Sequence, residues 1–131
     1  MTQLRISDAA ALLSVSDDTV RRWLESGRLA PGPRGAGPRT VDAASVAAVM
    51  VEQAPAAPAV VHQSARNRFP GIVTRVEKDG VMALVEIQAG PHRVVSLMSR
   101  EAADELGLAP GVPAAATVKA TNVVVELEQP S

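Results

Sequence analysis

Residues 6–29 read ISDAAALLSVSDDTVRRWLESGRL, and their spacing decides the first half of the chain. Ser7 is placed to cap a short helix, with Asp8 in its positive first turn and Ala9, Ala10, Leu12 and Leu13 as its buried side. Ser14 and Val15 close it. Ser16 then caps a second helix with Asp17 and Asp18 in the first turn, and Val20, Trp23 and Leu24 fall at i, i+3 and i+4, a single apolar face. Gly27 suits the left-handed residue that follows a last helical turn. Two short helices joined by a tight turn make a helix-turn-helix.

With that face inward, Thr19, Arg21, Arg22 and Ser26 are left toward solvent. From Arg21 to Arg39 the chain carries five arginines (Arg21, Arg22, Arg28, Arg34, Arg39) against the single acid Glu25. Such a patch, on a helix after a tight turn and on the glycine-proline loop behind it, fits a helix in a DNA major groove with a wing along the phosphates. The competing reading is a solvated helix face followed by an unstructured loop.

The whole chain has 131 residues, with 13 basic residues against 14 acidic, so a uniformly basic nucleic-acid coat is excluded while local basic surface is not. Cysteine is absent, which removes disulfides and thiolate metal sites, and two histidines (His62, His92) cannot build a histidine cluster for a bare cation. Trp23 and Phe69 are the only aromatics, too few for a base-stacking platform. No apolar run approaches the roughly 20 residues that span a bilayer. The opening Met-Thr-Gln-Leu-Arg lacks the apolar stretch of a secretion signal, so a cytoplasmic protein without membrane association is expected.

Composition changes near residue 53. The stretch QAPAAPAVV (53–61) is uncharged alanine and proline, an extended semi-rigid linker by its chemistry. Helical spacing precedes it and two-residue alternation follows. The expected organisation is therefore α+β in two domains: 1–52, a winged helix-turn-helix; 53–63, the linker; and 64–131, a small OB-like barrel. Five strands are expected in that barrel: Gly71–Val76, Val81–Gln88, Arg93–Met98, Val112–Ala120 and Val123–Leu127. A short helix from Arg100 to Leu106, capped by Ser99, interrupts them. Small apolar residues dominate both domains, so association between copies is an expected source of stability.

Three places in the second domain suit an anion. Ser64 and Arg66 share a face if extended, a hydroxyl beside a guanidinium. Lys119 and Thr121 share a strand face with Thr117. Ser99 stands at a helix start, where backbone N–H groups point outward. Each has a plainer reading: Ser99 as a helix cap only, Lys119 as a solvated lysine, Arg66 as the partner of Glu126 or Glu128. No paired carboxylates, histidine-supported nucleophile or phosphate loop is present, so an enzyme is not expected.

Two resemblances sharpen this. Residues 4–50, with TVRRW followed by SGRL and then TVDAASVAAVM, resemble the winged helix-turn-helix of the MerR and excisionase-like group. That resemblance implies DNA contacts from Thr19, Arg21 and Arg22 and a wing carrying Arg28, Arg34 and Arg39. It departs from the group in having Thr40 and Val41 where the wing often ends in an aromatic, and in lacking a long coiled-coil helix to pair the heads.

Residues 63 to about 128, through SARNRFPGIVTRV, ELGLAPG and VKATNVVV, resemble the Mop or TOBE domain of molybdate-binding proteins. This implies an oxyanion held between subunits by Ser64, Arg66, Asn67, Ser99, Lys119, the backbone of Ala120, and Thr121. Ala102 stands where many members carry a serine. The two resemblances together imply a DNA-binding regulator that senses molybdate or tungstate as ligand, assembled as a dimer or hexamer. The alternative is a molybdate storage protein whose helical head docks other proteins.

Overall fold

The computed structural model describes residues 2–35, 37–55 and 63–128. The chain divides into two compact units, Met1–Ala59 and Val60–Ser131. The expected linker at 53–63 lies largely outside the described residues; Gln53 ends a helix, and Ala54 and Pro55 follow it.

In the first unit, β1 (Gln3–Arg5) leads directly into α1 (Ile6–Leu13). Arg5, not Ser7, occupies the N-cap position, because the extended backbone of β1 runs up to the first helical turn; Asp8 is engaged by the Arg5 side chain at 3.0 Å. Ser14 takes the left-handed conformation (φ 58°) that reverses the chain. α2 (Asp17–Ser26) begins as its sequence dictates: the Ser16 hydroxyl accepts the Thr19 N–H at 3.1 Å. Gly27 (φ 83°) ends it.

The chain then forms a hairpin. Residues 30–32 run against β2 (Thr40–Asp42), with Gly32 N donating to Thr40 O at 2.9 Å and Asp42 N to Ala30 O at 2.9 Å. β2 pairs antiparallel with β1 on its other side, Gln3 opposite Asp42. Gly32 is required here, since a methyl group would overlap the Thr40 hydroxyl and come within 3.0 Å of the Gln3 side-chain oxygen. Arg34 follows the first arm of the hairpin and Arg39 directly precedes β2. α3 (Ala43–Gln53) closes the unit over one core of Ala9, Ala10, Leu13, Val20, Leu24, Leu29, Val41, Val46 and Val49.

The second unit is a curled antiparallel sheet in the order β5-β4-β3-β6. β3 (Asn67–Lys78) is long enough to serve two neighbours. Its first half pairs with β6 (Pro113–Val118), its second half with β4 (Met82–Ala89), and β4 pairs with β5 (His92–Ser99). A bulge between Val73 and Arg75 bends β3 between the two halves. At the bend the chains approach closely: a side chain on Gly71 would overlap the Gln88 carbonyl. The β3–β4 turn is tied by Asp79, whose Oδ1 accepts the N–H groups of Val81 and Met82 at 2.7 Å each. α4 (Arg100–Glu105) follows β5, and the Ser99 hydroxyl accepts the Ala102 N–H at 3.1 Å, as its capping role requires.

Val73, Val85 and Ile87 form the inner core. Between Val85 and Ile87 on β4, Glu86 faces the opposite side of the sheet and is nevertheless buried. Its side chain is only 12% exposed, because Arg75 and Arg93 on the flanking strands close over it as ion-pair partners. The Arg93 hydrogen bond, aided by both guanidinium charges, holds the Glu86 carboxyl below the ordinary carboxylate range; backbone N–H groups do the same for Asp79, and Lys78 for Asp104. A carboxylate depressed in the fold contributes stability above its unfolded pKa, about 4. That contribution is lost as pH falls through the folded value. The melting midpoint of this unit is therefore expected to drop on acidification below about pH 4, and Glu86→Gln is expected to flatten that dependence, as thermal melts across a pH series would register.

Two expectations are corrected. The barrel has four strands rather than five among the described residues. Residues 123–127 follow the 3₁₀ turn Ala120–Asn122 and pair with no strand among the described residues, with Val124, Val125 and Leu127 at 90%, 83% and 82% exposure. The same turn ends β6 at Val118, so Thr121 does not share a strand face with Lys119.

Candidate functional site

On the helical unit, the exposed face of α2 carries two arginines in different states. Arg21 is held by Asp18 at 3.1 Å. Arg22 hydrogen-bonds only the Thr19 hydroxyl, also at 3.1 Å, and Thr19 in turn contacts the Ser16 hydroxyl at 3.0 Å. This chain of neutral groups orients the Arg22 guanidinium without neutralising it. Arg34 and Arg39, on the hairpin, pair with no carboxylate among the described residues. Arg28 is engaged inside the unit: its guanidinium lies 4.3 Å from the Trp23 ring centroid and 3.8 Å from the Glu52 carboxylate. It packs the end of α2 against α3.

On the sheet unit, the expected anion residues fall into two groups. Asn67 opens β3 opposite Val118, and its side-chain amide donates to the Val118 carbonyl at 3.1 Å, pinning the start of β3 to the end of β6. Arg66 directly precedes this last ladder pair, and Lys119, Ala120 and Thr121 directly follow it, all exposed. Arg66 donates to the Gln63 carbonyl at 2.7 Å, which uses one of its five N–H groups. Ser64 is exposed just before it, in a bend rather than an extended run. Ser99 belongs to the second group. It ends β5 opposite Met82, in the part of the ladder that pairs with the Lys78 end of β3, whereas Asn67 opens β3 at its other end. Along the ladder Ser99 and the Arg66–Lys119 pair therefore belong to opposite ends of β3. As cap acceptor its hydroxyl keeps its own proton free to donate.

A groove of about 510 Å³ lies between the two free edges, β5 and β6, lined by Val85, Ile87, Val94, Met98, Leu108 and Val112 among others. Among the described residues no group of three or more His, Cys, Asp or Glu side chains is arranged to hold a metal ion. No described helix is long and apolar enough to cross a membrane.

Comparison with known proteins assigns both units. Residues 4–53 match the helix-turn-helix domain model and residues 63–125 the TOBE domain model. A probable molybdenum-pterin-binding protein of Haemophilus influenzae is 42% identical over 66 residues, half of this chain and 96% of that protein. The chain belongs to the TOBE family of molybdenum-pterin-binding proteins. This TOBE-family chain also matches the molybdenum transport protein ModE of Herbaspirillum seropedicae, 40% identical over 67 residues, half of this chain but only a quarter of that protein's length. A solved molybdate-binding protein from Sporomusa ovata is 28% identical with a TM-score of 0.49, covering 51% of this chain and all of that one. The family assignment rests on the second unit; the helical unit is an addition to it.

Proposed function

We propose that the chain is a DNA-binding transcriptional regulator that senses molybdate or tungstate, the oxyanion being bound between copies of its TOBE unit. The observation that carries this is the division of the donors: cations at one end of the ladder, the Ser99 hydroxyl at the other. A second copy, placed end to end with the first, supplies Ser99 to the Arg66–Lys119 end, with Ser64, the Ala120 backbone and Thr121 around it. Asn67 acts by holding β3 on β6 so that these groups stay together. The ligand offsets the repulsion between Arg66 and Lys119, and so favours the assembled state.

The assembly itself has a donor and a receptor. Taken up as a strand, the tail would set Val123, Val125 and Leu127 on one side and Glu126 and Glu128 on the other. That apolar side fits the groove between β5 and β6 of another copy, where the fifth strand of the barrel is missing. Added there, the tail hydrogen-bonds the free edges and covers the groove.

In the helical unit, α2 enters the major groove with Thr19, Arg21 and Arg22, and the hairpin follows the phosphates with Arg34 and Arg39. Arg28 supports them by fixing the end of α2. Relatives named for binding molybdenum-pterin or molybdate, together with a helix-turn-helix, support a sensor rather than a catalyst. DNA affinity and molybdate affinity are then linked reciprocally.

The test is fluorescence anisotropy of promoter DNA against the full chain, with and without molybdate, over a salt series. Affinity is expected to fall steeply with salt, as several arginine–phosphate contacts require, and to change with ligand. Equal affinity at zero and saturating molybdate would remove the sensing claim; salt-independent or absent DNA binding with intact molybdate uptake would favour a storage role. Arg22→Ala is expected to cost about 1–3 kcal/mol of DNA affinity, with molybdate titration unchanged.

A further inference from the structure

The sheet unit has seven cations among its described residues. Arg75, Lys78, Arg93 and Arg100 each have a carboxylate partner. Arg66, Arg68 and Lys119 have none among the described residues, and all three gather at the same end of the β3–β6 pair. Arg68 stands opposite Thr117 in the ladder, one step from Asn67 opposite Val118. Arg66 and Lys119 are the residues immediately beyond that last pair.

Alternation along the strands then fixes the faces. Ala114 and Ala116 pack on the core side. Arg68 and Thr117 are exposed on the other, and Arg66 and Lys119, just past the end of the ladder, are exposed as well. Three positive charges therefore gather at one end of the β3–β6 pair with no carboxylate partner among the described residues to offset their repulsion.

Two charges, Arg66 and Lys119, balance one tetrahedral metal-oxide dianion. The third exceeds that balance. We propose that Arg68 is a further anion-binding residue, and that it makes this strand edge prefer oxyanions of more than two charges, condensed or phosphate-bearing, over a single tetrahedral dianion. Thr117, across the ladder, supplies a hydroxyl to the same ligand. The inference rests on the anion site proposed above and adds to it a charge-selecting residue that the motif SARN does not include.

The test is calorimetric titration of the full chain with molybdate and, separately, with tripolyphosphate, at pH 8 and fixed ionic strength. Molybdate remains a single dianion under those conditions. Wild type is expected to bind tripolyphosphate more tightly than molybdate, with each displacing the other. Arg68→Gln is expected to weaken tripolyphosphate binding about tenfold or more, the loss of a charged hydrogen-bond donor, and molybdate binding less than about threefold.

Arg68→Met, which keeps the length of the side chain on the strand without its charge, is expected to reproduce the selective loss if Arg68→Gln does not fold. Circular dichroism and native mass spectrometry confirm that each variant keeps its fold and assembly. Equal losses for both anions, or no loss for either, would overturn the proposal. A wild type that binds no molybdate would defeat the functional reading instead, while the tripolyphosphate titrations would still decide the role of Arg68.

Discussion

Val125→Asp is expected to leave each chain folded while separating the copies and abolishing molybdate binding. Val125 is 83% exposed in the single chain and contributes nothing to either core, so the substitution has little to disrupt there. In the proposed assembly the same residue enters the groove between β5 and β6 of a second copy. An aspartate in that apolar groove has no cation to pair with, and burying an unpaired carboxylate costs at least several kcal/mol, roughly.

In that proposal the loss reaches the ligand because Ser99 of one copy completes the Arg66–Lys119 end of another. Molybdate affinity is expected to fall roughly a hundredfold or more, consistent with loss of more than one charge-assisted hydrogen bond. Val124→Asp is the control, since Val124 would lie on the glutamate side of that strand and stay in solvent. Native mass spectrometry and calorimetry read both effects. A Val125→Asp protein with unchanged subunit number would refute strand exchange, and one that dissociates yet still binds molybdate fully would refute the intersubunit site.

The second large effect belongs to Gly71. Its ladder neighbour on one side is Ala114, and on the other the Gln88–Ala89 backbone presses against its Cα. A Cβ there overlaps the Gln88 carbonyl oxygen, and sits 2.8 Å from the carbonyl carbon and 3.0 Å from the Ala89 Cα. These are backbone atoms of a paired strand, so no side-chain rotation relieves the contact. Either β3 and β4 part at the bend or the bulge at Val73–Arg75 is redrawn. Gly71→Ala is expected to destabilise the TOBE unit by on the order of 3 kcal/mol, lowering its melting midpoint in scanning calorimetry. The helical unit, which has its own core, is expected to melt as before. Gly35→Ala is the matching control, since nothing lies within 4 Å of a Cβ at that position. A Gly71→Ala protein that melts like wild type would show that the bend is not held by this approach.

What was legible in the sequence was local. Ser16 as cap, Gly27 as helix terminator, the Val20–Trp23–Leu24 face and the Ser99 cap all depend on residues within four positions of one another, and each stands where its spacing puts it. What escaped was non-local or needed a partner. β1 is three residues long and exists only because Gln3–Arg5 pairs with Thr40–Asp42, far along the chain. That pairing moved the first cap from Ser7 to Arg5. Residues 123–127 have the composition of a strand, which is why a fifth strand was expected, but no edge within the same chain receives them.

The site was legible as an inventory and not as a place. Ser64, Arg66, Ser99, Lys119 and Thr121 carry the right chemistry, yet strand alternation cannot show that Ser99 lies at the other end of the ladder from Arg66. Nor did it show that a 3₁₀ turn removes Thr121 from the face of Lys119. Arg68 was passed over because it sits between Asn67 and an aromatic in a stretch read for its motif. The signal that finds it is the lack of any acid opposite it, which appears only once the β3–β6 register is known.

Trp23 lies beneath the Arg28 guanidinium at the end of α2, and the chain contains no second tryptophan and no tyrosine. Near-ultraviolet emission from this chain therefore arises at one known position on the helical unit. Any event that lifts the cation off the indole, such as the DNA engagement proposed above, registers as a change in intensity or colour without a dye. The chain carries its own optical gauge.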